Sequence, residues 1–204
     1  MSKTGHWSLR AKRIAIGGAL YLGAVVLGLG SAWWVLKKAP WLNPSVEVCA
    51  WRANMHAGSQ DAGLYTRATI AVHALLALGR DETMYFVANR DDAGHALRAQ
   101  CNYRITGVPP QARWWSITAY AQDLFLFDAP NGHYSLNGST AILDAAGTFA
   151  LSTGPVEQAD TYWLPTSGTG ALVLTLRLYN PAPALQAAPQ SLVAPAVQKI
   201  GTCA

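Results

Sequence analysis

Aromatic and arginine side chains are concentrated in the second half of the chain, and they are the residue types best suited to contact a ligand. The candidate binding residues are Arg113, Trp114, Trp115, Tyr120, Tyr134, Trp163 and Arg177. Flat rings stack on sugars or on apolar ligands, and a guanidinium binds an anion through paired hydrogen bonds. The alternative is structural: backbone carbonyls or acids such as Glu82 satisfy the arginines, and the rings fill a core.

Two of these residues, Trp114 and Trp115, are adjacent in a segment rich in strand-forming residues. Successive side chains of a strand point to opposite faces of its sheet. One tryptophan should therefore enter the core, while the other meets solvent, a partner or a second sheet.

Residue sets typical of enzymes are absent from the sequence. The histidines (His6, His56, His73, His95 and His133) form neither H-x-H nor H-E-x-x-H, so no metal-ligand set is visible. The G-x-S-x-G motif is also missing. We predict no catalytic residue, no metal and no cofactor. The enzyme hypothesis that stays open is a hydrolase with a carboxylate-based site in a cleft, using Glu82 or Asp123 near Arg113 and Tyr134.

Three cysteines occur, Cys49, Cys101 and Cys203, and none forms a C-x-x-C pair. In an oxidising compartment a disulfide is the natural state of such residues. We predict the pair Cys101–Cys203, because a bridge from a strand to the extreme C-terminus would stop fraying. Cys49 with Cys203 is the next choice, and three reduced buried thiols are the alternative to any disulfide.

The positive charge of the chain lies almost entirely at its N-terminus. Residues 1–38 contain six of the 15 basic side chains and no acid, so the remainder has nine basic and 11 acidic side chains. That remainder offers no basic surface for phosphate backbones, and nucleic-acid binding is excluded.

An uncharged stretch of 23 residues runs from Ile14 to Leu36. At about 1.5 Å per residue a helix of this length is about 34 Å long, enough to cross a hydrocarbon core of about 30 Å. More basic residues precede this span than follow it, so the N-terminus should stay in the cytoplasm. A cleaved signal peptide is the alternative, with small residues at Gly28–Ala32 as its cleavage site.

This pattern predicts four regions: a cytoplasmic N-terminus (1–13), a transmembrane helix (14–36), a juxtamembrane linker (37–60) and an exported domain (61–204). We expect the chain to be a single-pass protein of a bacterial inner membrane, in contact with the lipid bilayer and with its C-terminal domain in the periplasm.

Within the exported domain, a period of three to four residues indicates one amphipathic helix over Leu64–Leu78, with Asp61 as its N-cap. Its apolar stripe is predicted at Leu64, Ala68, Ala71, Leu75 and Leu78.

Short segments with a period of two residues then predict strands. They are Thr83–Ala88, Asn102–Ile105, Trp114–Tyr120, Leu124–Phe127, Thr148–Leu151 and Leu172–Tyr179. Many short strands beside one helix predict a mainly β fold, an antiparallel β-sandwich or jelly roll.

Several separated motifs together resemble one protein family. They are Pro110–Thr118 (PQARWWSIT), Asn131–Ser135 (NGHYS), Trp163–Pro165, Leu176–Pro181 (LRLYNP), Arg67-Ala68 and Glu82-Thr83-x-Tyr85. The chain resembles the bacterial domain of unknown function 1214 over roughly residues 60–203. The resemblance implies a jelly-roll-like β-sandwich and brings no established reaction or catalytic residue. Tyr162 and Ala121 stand where that family commonly has an Asn and an acid, so a site that used those groups would be altered.

The function that fits these features is a non-catalytic binding or accessory module of the cell envelope. Its expected ligand is an envelope protein, a lipid or a glycan held near the membrane.

Overall fold

The structure is a computed structural model that describes residues 4–38, 45–54, 56, 58–59, 62–72, 78–159 and 161–203. The chain divides into two compact units, residues 1–43 and 44–204, and each is described by itself. Asp61, the predicted N-cap, and Leu75, predicted on the apolar stripe, lie outside the described residues.

The N-terminal unit is one long helix, α1, over Thr4–Lys38. Its segment Ala11–Val35 is 25 residues long and apolar enough to cross a membrane. The hydroxyl of Ser31 donates to the carbonyl of Gly28 at 3.0 Å, which satisfies a polar group of this apolar stretch within the helix itself. A helix at the predicted position is therefore confirmed, and its length and composition fit either a membrane anchor or a signal sequence.

The second unit is a sandwich of two β-sheets. The strands are β1 (Ser45–Val48), β2 (Trp51–Asn54), β3 (Thr83–Ala88), β4 (Asn102–Gly107), β5 (Ala112–Ala121), β6 (Ser135–Asn137), β7 (Phe149–Gly154), β8 (Tyr162–Pro165), β9 (Leu172–Pro181) and β10 (Ala196–Ile200). A six-stranded sheet has the order β1-β2-β3-β9-β5-β6, and a four-stranded sheet has the order β10-β4-β7-β8. All neighbours pair antiparallel except β7 and β8, which are parallel.

The core lies between the two sheets, because alternate residues of each strand point inward. In β9, Leu172, Leu174, Leu176 and Leu178 are fully buried, one at every second position. Across the sandwich, the ring of Trp115 in β5 stacks on Phe149 in β7 with centroids 4.8 Å apart. The predicted mainly β sandwich is confirmed, with one parallel strand pair added.

A hairpin formed by β1 and β2 lies inside residues 37–60, the stretch described above as a linker. It extends the six-stranded sheet beyond β3. Trp51 attaches it to the core, since its side chain is fully buried and its Nε1 donates to the carbonyl of Pro195 at 2.7 Å.

The helix of the domain, α2, is described over Leu64–Val72, and residues 73–77 of the predicted helix lie outside the described residues. The predicted stripe is wrong at Leu64, Ala71 and Leu78, because all three are exposed, Leu64 by 86%. The buried side runs instead through Ala62 and Thr66, one turn apart. Hydropathy alone could not find this side, since Thr66 scores as polar although it is buried.

The predicted strand Leu124–Phe127 is also wrong. The chain reverses directly after β5, with a hydrogen bond from the amide of Leu124 to the carbonyl of Ala121 and a positive φ of 66° at Leu124. Only Leu126 returns to pair, as a single bridge to Tyr120.

The predicted disulfide between Cys101 and Cys203 is present, with the two Cα atoms 4.2 Å apart. It joins the segment before β4 to the segment after β10, two neighbouring strands of the four-stranded sheet. The third cysteine, Cys49, is an exposed free thiol in the turn of the β1–β2 hairpin.

Candidate binding site

The two adjacent tryptophans of β5 divide as the strand period predicts. Trp115 is 4% exposed and belongs to the core, whereas Trp114 is 37% exposed on the outer face of the six-stranded sheet. The prediction of one inward and one outward ring is therefore confirmed. Trp115, predicted above as a binding residue, is corrected to a core residue, because a ligand on the surface cannot reach its ring.

The outer face of the six-stranded sheet carries the most distinctive polar arrangement among the described residues. Its centre is Arg177 in β9, which pairs across the sheet with Tyr85 of β3 and Ser116 of β5. The strands β3, β5, β6 and β9 contain no Asp or Glu. On the hairpin at the edge, the carboxylate of Glu47 already pairs with Arg52.

The guanidinium of Arg177 is held by hydroxyl groups rather than by a carboxylate. Nη2 donates to the hydroxyl of Tyr120 at 2.7 Å, and Nη1 lies 3.3 Å from Oγ1 of Thr118. The group also lies over the ring of Tyr120, 5.4 Å from its centroid. Among the described residues no carboxylate lies within ion-pair distance of it. A guanidinium has five N–H donors, so three stay available for an anion.

A pair of aromatic rings borders the arginine on the side of the β5 N-terminus. Trp114 and Tyr179 are opposite one another in β5 and β9, with ring centroids 5.2 Å apart at 58°. Trp114 is a diagonal neighbour of Arg177, and such neighbours on one face are about 7–8 Å apart. Gly138 lies beside both tryptophan rings, since an added Cβ would come 3.5 Å from Nε1 of Trp115 and 3.6 Å from Cδ1 of Trp114.

Three of the predicted residues lie elsewhere. Arg113 is exposed at the start of β5, beyond Trp114. Tyr134, which is 45% exposed, directly precedes β6. Trp163 is half-buried in β8 and donates from Nε1 to the carbonyl of Gly154 at 3.0 Å. The structure therefore brings together Trp114, Tyr120 and Arg177 from the predicted set.

Tyr134 and Trp163 adjoin a second aromatic contact. The ring of His133 stacks on Tyr162 with centroids 4.3 Å apart. Nδ2 of Asn131 donates to the carbonyl of Trp163 at 3.2 Å, which ties this loop to β8. Each polar contact here is explained by the loop's own structure.

The residues of the hydrolase hypothesis divide between the two ends of the six-stranded sheet: Glu82 precedes β3 at the end where Arg113 begins β5, whereas Asp123 and Tyr134 lie toward the other end. Asp123 follows the C-terminal end of β5, whereas Arg113 lies near its N-terminal end. Most of the length of β5 lies between them, so at about 3.3 Å per residue Arg113 and the turn that contains Asp123 are about 25 Å apart. Oδ1 of Asp123 accepts the amide of Phe125 at 3.1 Å, so this carboxylate stabilises a turn.

A surface cleft of about 720 Å³ lies near the disulfide and is lined by Asp91, Asp92, His95, Arg98, Tyr103 and Lys199, among others. Both of its carboxylates bind backbone amides: Asp91 accepts from His95 at 2.8 Å, and Asp92 accepts from Val197 at 2.8 Å. Burial raises the pKa of Tyr103, whose hydroxyl accepts the amide of Arg98. These contacts hold the connection between β3 and β4, in which Nδ1 of His95 also lies 3.5 Å from Oδ2 of Asp91.

No group of three or more His, Cys, Asp or Glu side chains in the described part of the chain could hold a metal ion. The prediction that the protein has no metal or cofactor stays a prediction.

Tyr85 is the site residue that the sequence did not single out, whereas Tyr179 belongs to the same dense group of aromatic and arginine residues as the candidates. Tyr179 follows Arg177 by two positions and therefore shares its face, a signal that the sequence did contain. Tyr85 becomes a neighbour only through the pairing of β3 with β9, which sequence alone did not predict.

The family to which the chain belongs follows from its sequence between β3 and α3, a short helix over Pro183–Ala187. The profile of the family described as "Protein of unknown function (DUF1214)" matches residues 82–183, half of the chain. The chain belongs to the DUF1214 family. The matched region contains both strands of the DUF1214 candidate site, β5 and β9, while α1 and the β1–β2 hairpin precede it.

Two solved structures are similar to this DUF1214 chain. The VPA0106 protein from Vibrio parahaemolyticus is 19% identical over 70% of the chain, with a TM-score of 0.57. An uncharacterized protein from Burkholderia cenocepacia is 17% identical over 58% of the chain, with a TM-score of 0.44. The chain covers 37% and 29% of these two proteins, respectively. The Vibrio structure supports the fold alone. No curated protein matches the chain.

Proposed function

We propose that this DUF1214 protein is a single-pass protein of a bacterial inner membrane, with its β domain in the periplasm. In this proposal the outer face of the six-stranded sheet binds a ligand and does not transform it. The ligand carries an anionic group next to a sugar ring or an aromatic ring.

Three features support the periplasmic placement. The segment Ala11–Val35 is long and apolar enough for an anchor, and basic residues are more numerous before it than after it. The Cys101–Cys203 disulfide suits an oxidising compartment. The proposal also requires that α1 is kept as an anchor and is not cleaved, and experiment tests this point.

The single observation that supports binding best is the environment of Arg177. A half-buried guanidinium is normally paired with an acid, because its charge loses hydration on burial. Here the described partners are two uncharged hydroxyls, Tyr120 and Thr118. Among the described residues this positive charge has no acid to pair with, so it suits the anionic group of a ligand, and the three remaining donors suit a carboxylate or phosphate.

The rings of Trp114 and Tyr179 supply the second half of the ligand's chemistry. Over a third of the surface of Trp114 is exposed, and the ring lies next to a guanidinium. A sugar ring or an aromatic ring can stack on it there. Sugar faces stack on indole rings, and an acidic sugar carries its carboxylate on the same ring. An acidic glycan therefore suits both groups better than a neutral glycan does.

Titration calorimetry with the full chain in detergent tests this proposal. The probes are an acidic disaccharide containing a uronic acid and its neutral counterpart. We expect the acidic sugar to bind more tightly, and Arg177→Gln to weaken it by about 10-fold or more, since hydrogen bonds to charged groups contribute about 1.5–3 kcal/mol.

The matched control is Arg104→Gln, because Arg104 is an exposed strand arginine of the other sheet. Arg177→Lys keeps the charge and removes the planar donor pair, so it should recover only part of the affinity. Equal binding of both sugars, or an equal loss in the Arg104 and Arg177 variants, would contradict the proposed site.

A further inference from the structure

We infer that one end of the β domain rests on the lipid surface through three connections that are nearly without charge. These connections are residues 108–111, 138–148 and 182–195, and we name them the uncharged connections. The inference rests on the proposed membrane anchor and adds a second contact between the protein and the bilayer.

Strand pairing places the three connections at the same end of the four-stranded sheet. Gly107, the last residue of β4, pairs with Phe149, the first residue of β7. Ala196, the first residue of β10, pairs with Thr106 of β4. Residues 108, 148 and 195 therefore leave or enter the sheet side by side, and a Cβ on Gly107 would lie 3.1 Å from Cα of Pro195.

The uncharged connections expose large apolar side chains. The exposed fraction is 88% for Ile142, 68% for Val193, 45% for Leu143 and 40% for Val108. Isolated exposed apolar residues are ordinary on protein surfaces, but a group of them at one end marks an interaction surface.

Charge distinguishes the side of this end that belongs to the four-stranded sheet from the opposite end of the domain. Asp144 is the sole charged residue of the uncharged connections, and its Oδ1 accepts the amides of Ala146 and Thr148 at 2.9 Å and 2.8 Å. The connections at the opposite end contain Arg90, Asp91, Asp92, Arg98, Asp123 and Asp128. Exposed apolar residues occur there too, notably Phe125 and Val156, but beside charges that resist transfer toward hydrocarbon.

The path of the chain indicates that the occupant is the bilayer. Ser45, where β1 begins, pairs with Asn54, and Ala53 pairs with Phe86. Ser45 is thus near the level of the start of β3, and β1 runs from there toward the opposite end. The chain accordingly enters the domain from the end that bears the uncharged connections. Six residues, 39–44, lie between α1 and β1 in the sequence.

The same end carries charges beside the six-stranded sheet, which limits the contact. Arg80, Asp81 and Glu82 directly precede β3, and Arg113 begins β5. These groups stay hydrated, so the contact belongs to the side of the four-stranded sheet, where Ile142 and Val193 reach into the headgroup layer.

Spin labelling of the full chain in lipid vesicles tests the inference. Cys49→Ser removes the exposed free thiol, Ile142→Cys adds the label site, and labelling without reductant keeps the disulfide. We expect the label at residue 142 to become severalfold more accessible to oxygen relative to a water-soluble nickel complex when detergent is replaced by phosphatidylethanolamine–phosphatidylglycerol vesicles.

The matched control is Val156→Cys, an exposed valine after β7 at the opposite end of the same sheet, whose label should stay open to nickel. Protein that floats with the vesicles but leaves residue 142 as open to nickel as residue 156 overturns this inference alone. Loss of nickel access without a gain in oxygen access also overturns it, because it indicates protein contact. Failure to float overturns the anchor and this inference together.

Discussion

At the scale of single residues, the outer face of the six-stranded sheet combines a cationic group with aromatic rings and no acid in its central strands. Arg177 in β9 and Trp114 in β5 lie side by side because these two strands pair. In the proposed function Arg177 keeps its charge and has no partner acid among the described residues, while Trp115 on the reverse side of β5 belongs to the core.

The two adjacent tryptophans should differ sharply when replaced. Trp115→Ala removes a buried ring stacked on Phe149 and should lower the free energy of unfolding by about 3–5 kcal/mol. Trp114→Ala removes a partly exposed ring paired with Tyr179 and should cost about 1 kcal/mol. Urea unfolding of the full chain in detergent measures both values. Similar losses for the two variants would mean that Trp114 is covered in the folded protein.

Tyr103 should make the stability of the domain depend on alkaline pH. Burial raises the pKa of its hydroxyl above the ordinary value of 10.0. The unfolded chain therefore loses this proton first, so the stabilisation is complete below pH 10 and declines as the pH rises through the folded-state value. Urea unfolding between pH 9 and pH 11, compared with Tyr103→Phe, isolates the effect. An identical decline in that variant would assign it to other groups.

The sequence predicts the parts of the site that depend on residue type, and it does not predict the parts that depend on contacts between distant strands. Trp114, Tyr120 and Arg177 could be chosen by residue type, because aromatic rings and guanidinium groups suit ligands. Which of Trp114 and Trp115 faces inward could not be chosen, since the alternation of a strand gives two faces without saying which one is covered. The neighbour Tyr85 required the order of strands in the sheet, a long-range property.

At the scale of elements, long periodic segments were predictable and short ones were not. β3, β5 and β9 have strong alternation and match their predicted positions within a few residues. β6 and β8 have three and four residues, too few to show a period, and exist because neighbouring strands supply their hydrogen bonds. The β1–β2 hairpin was missed for the same reason, although Trp51 makes it part of the core.

The disulfide should matter mainly to β10 and the C-terminal segment. Cys101 and Cys203 are 102 residues apart, and a bridge over so long a loop strongly restricts the unfolded chain. Cys203→Ser should lower the free energy of unfolding by about 2–4 kcal/mol. It should also speed hydrogen exchange in β10, which pairs only with β4 among the described strands. Cys49→Ser is the control, because that thiol is exposed and unbridged, and an equal effect of both substitutions would argue against the disulfide.

At the scale of the whole molecule, the chain joins an apolar helix to a sandwich whose features divide between two surfaces. The outer face of the six-stranded sheet has the groups for a ligand, and the end with the uncharged connections has the groups for lipid. The proposed lipid contact requires α1 to stay in the membrane.

The native free thiol offers a direct test of the orientation of the chain. Cys49 is exposed in the hairpin turn, after the proposed span, so a membrane-impermeant maleimide should label it in intact spheroplasts. Ser8→Cys, combined with Cys49→Ser, places the thiol before the span and should react only after lysis. If residue 8 of this variant were labelled in intact spheroplasts, and Cys49 of the native chain were not, the orientation would be the reverse of the one proposed. A mature protein that lacks residue 8 would show that α1 is a signal sequence, since the positive-inside rule and the apolar length of α1 fit both fates.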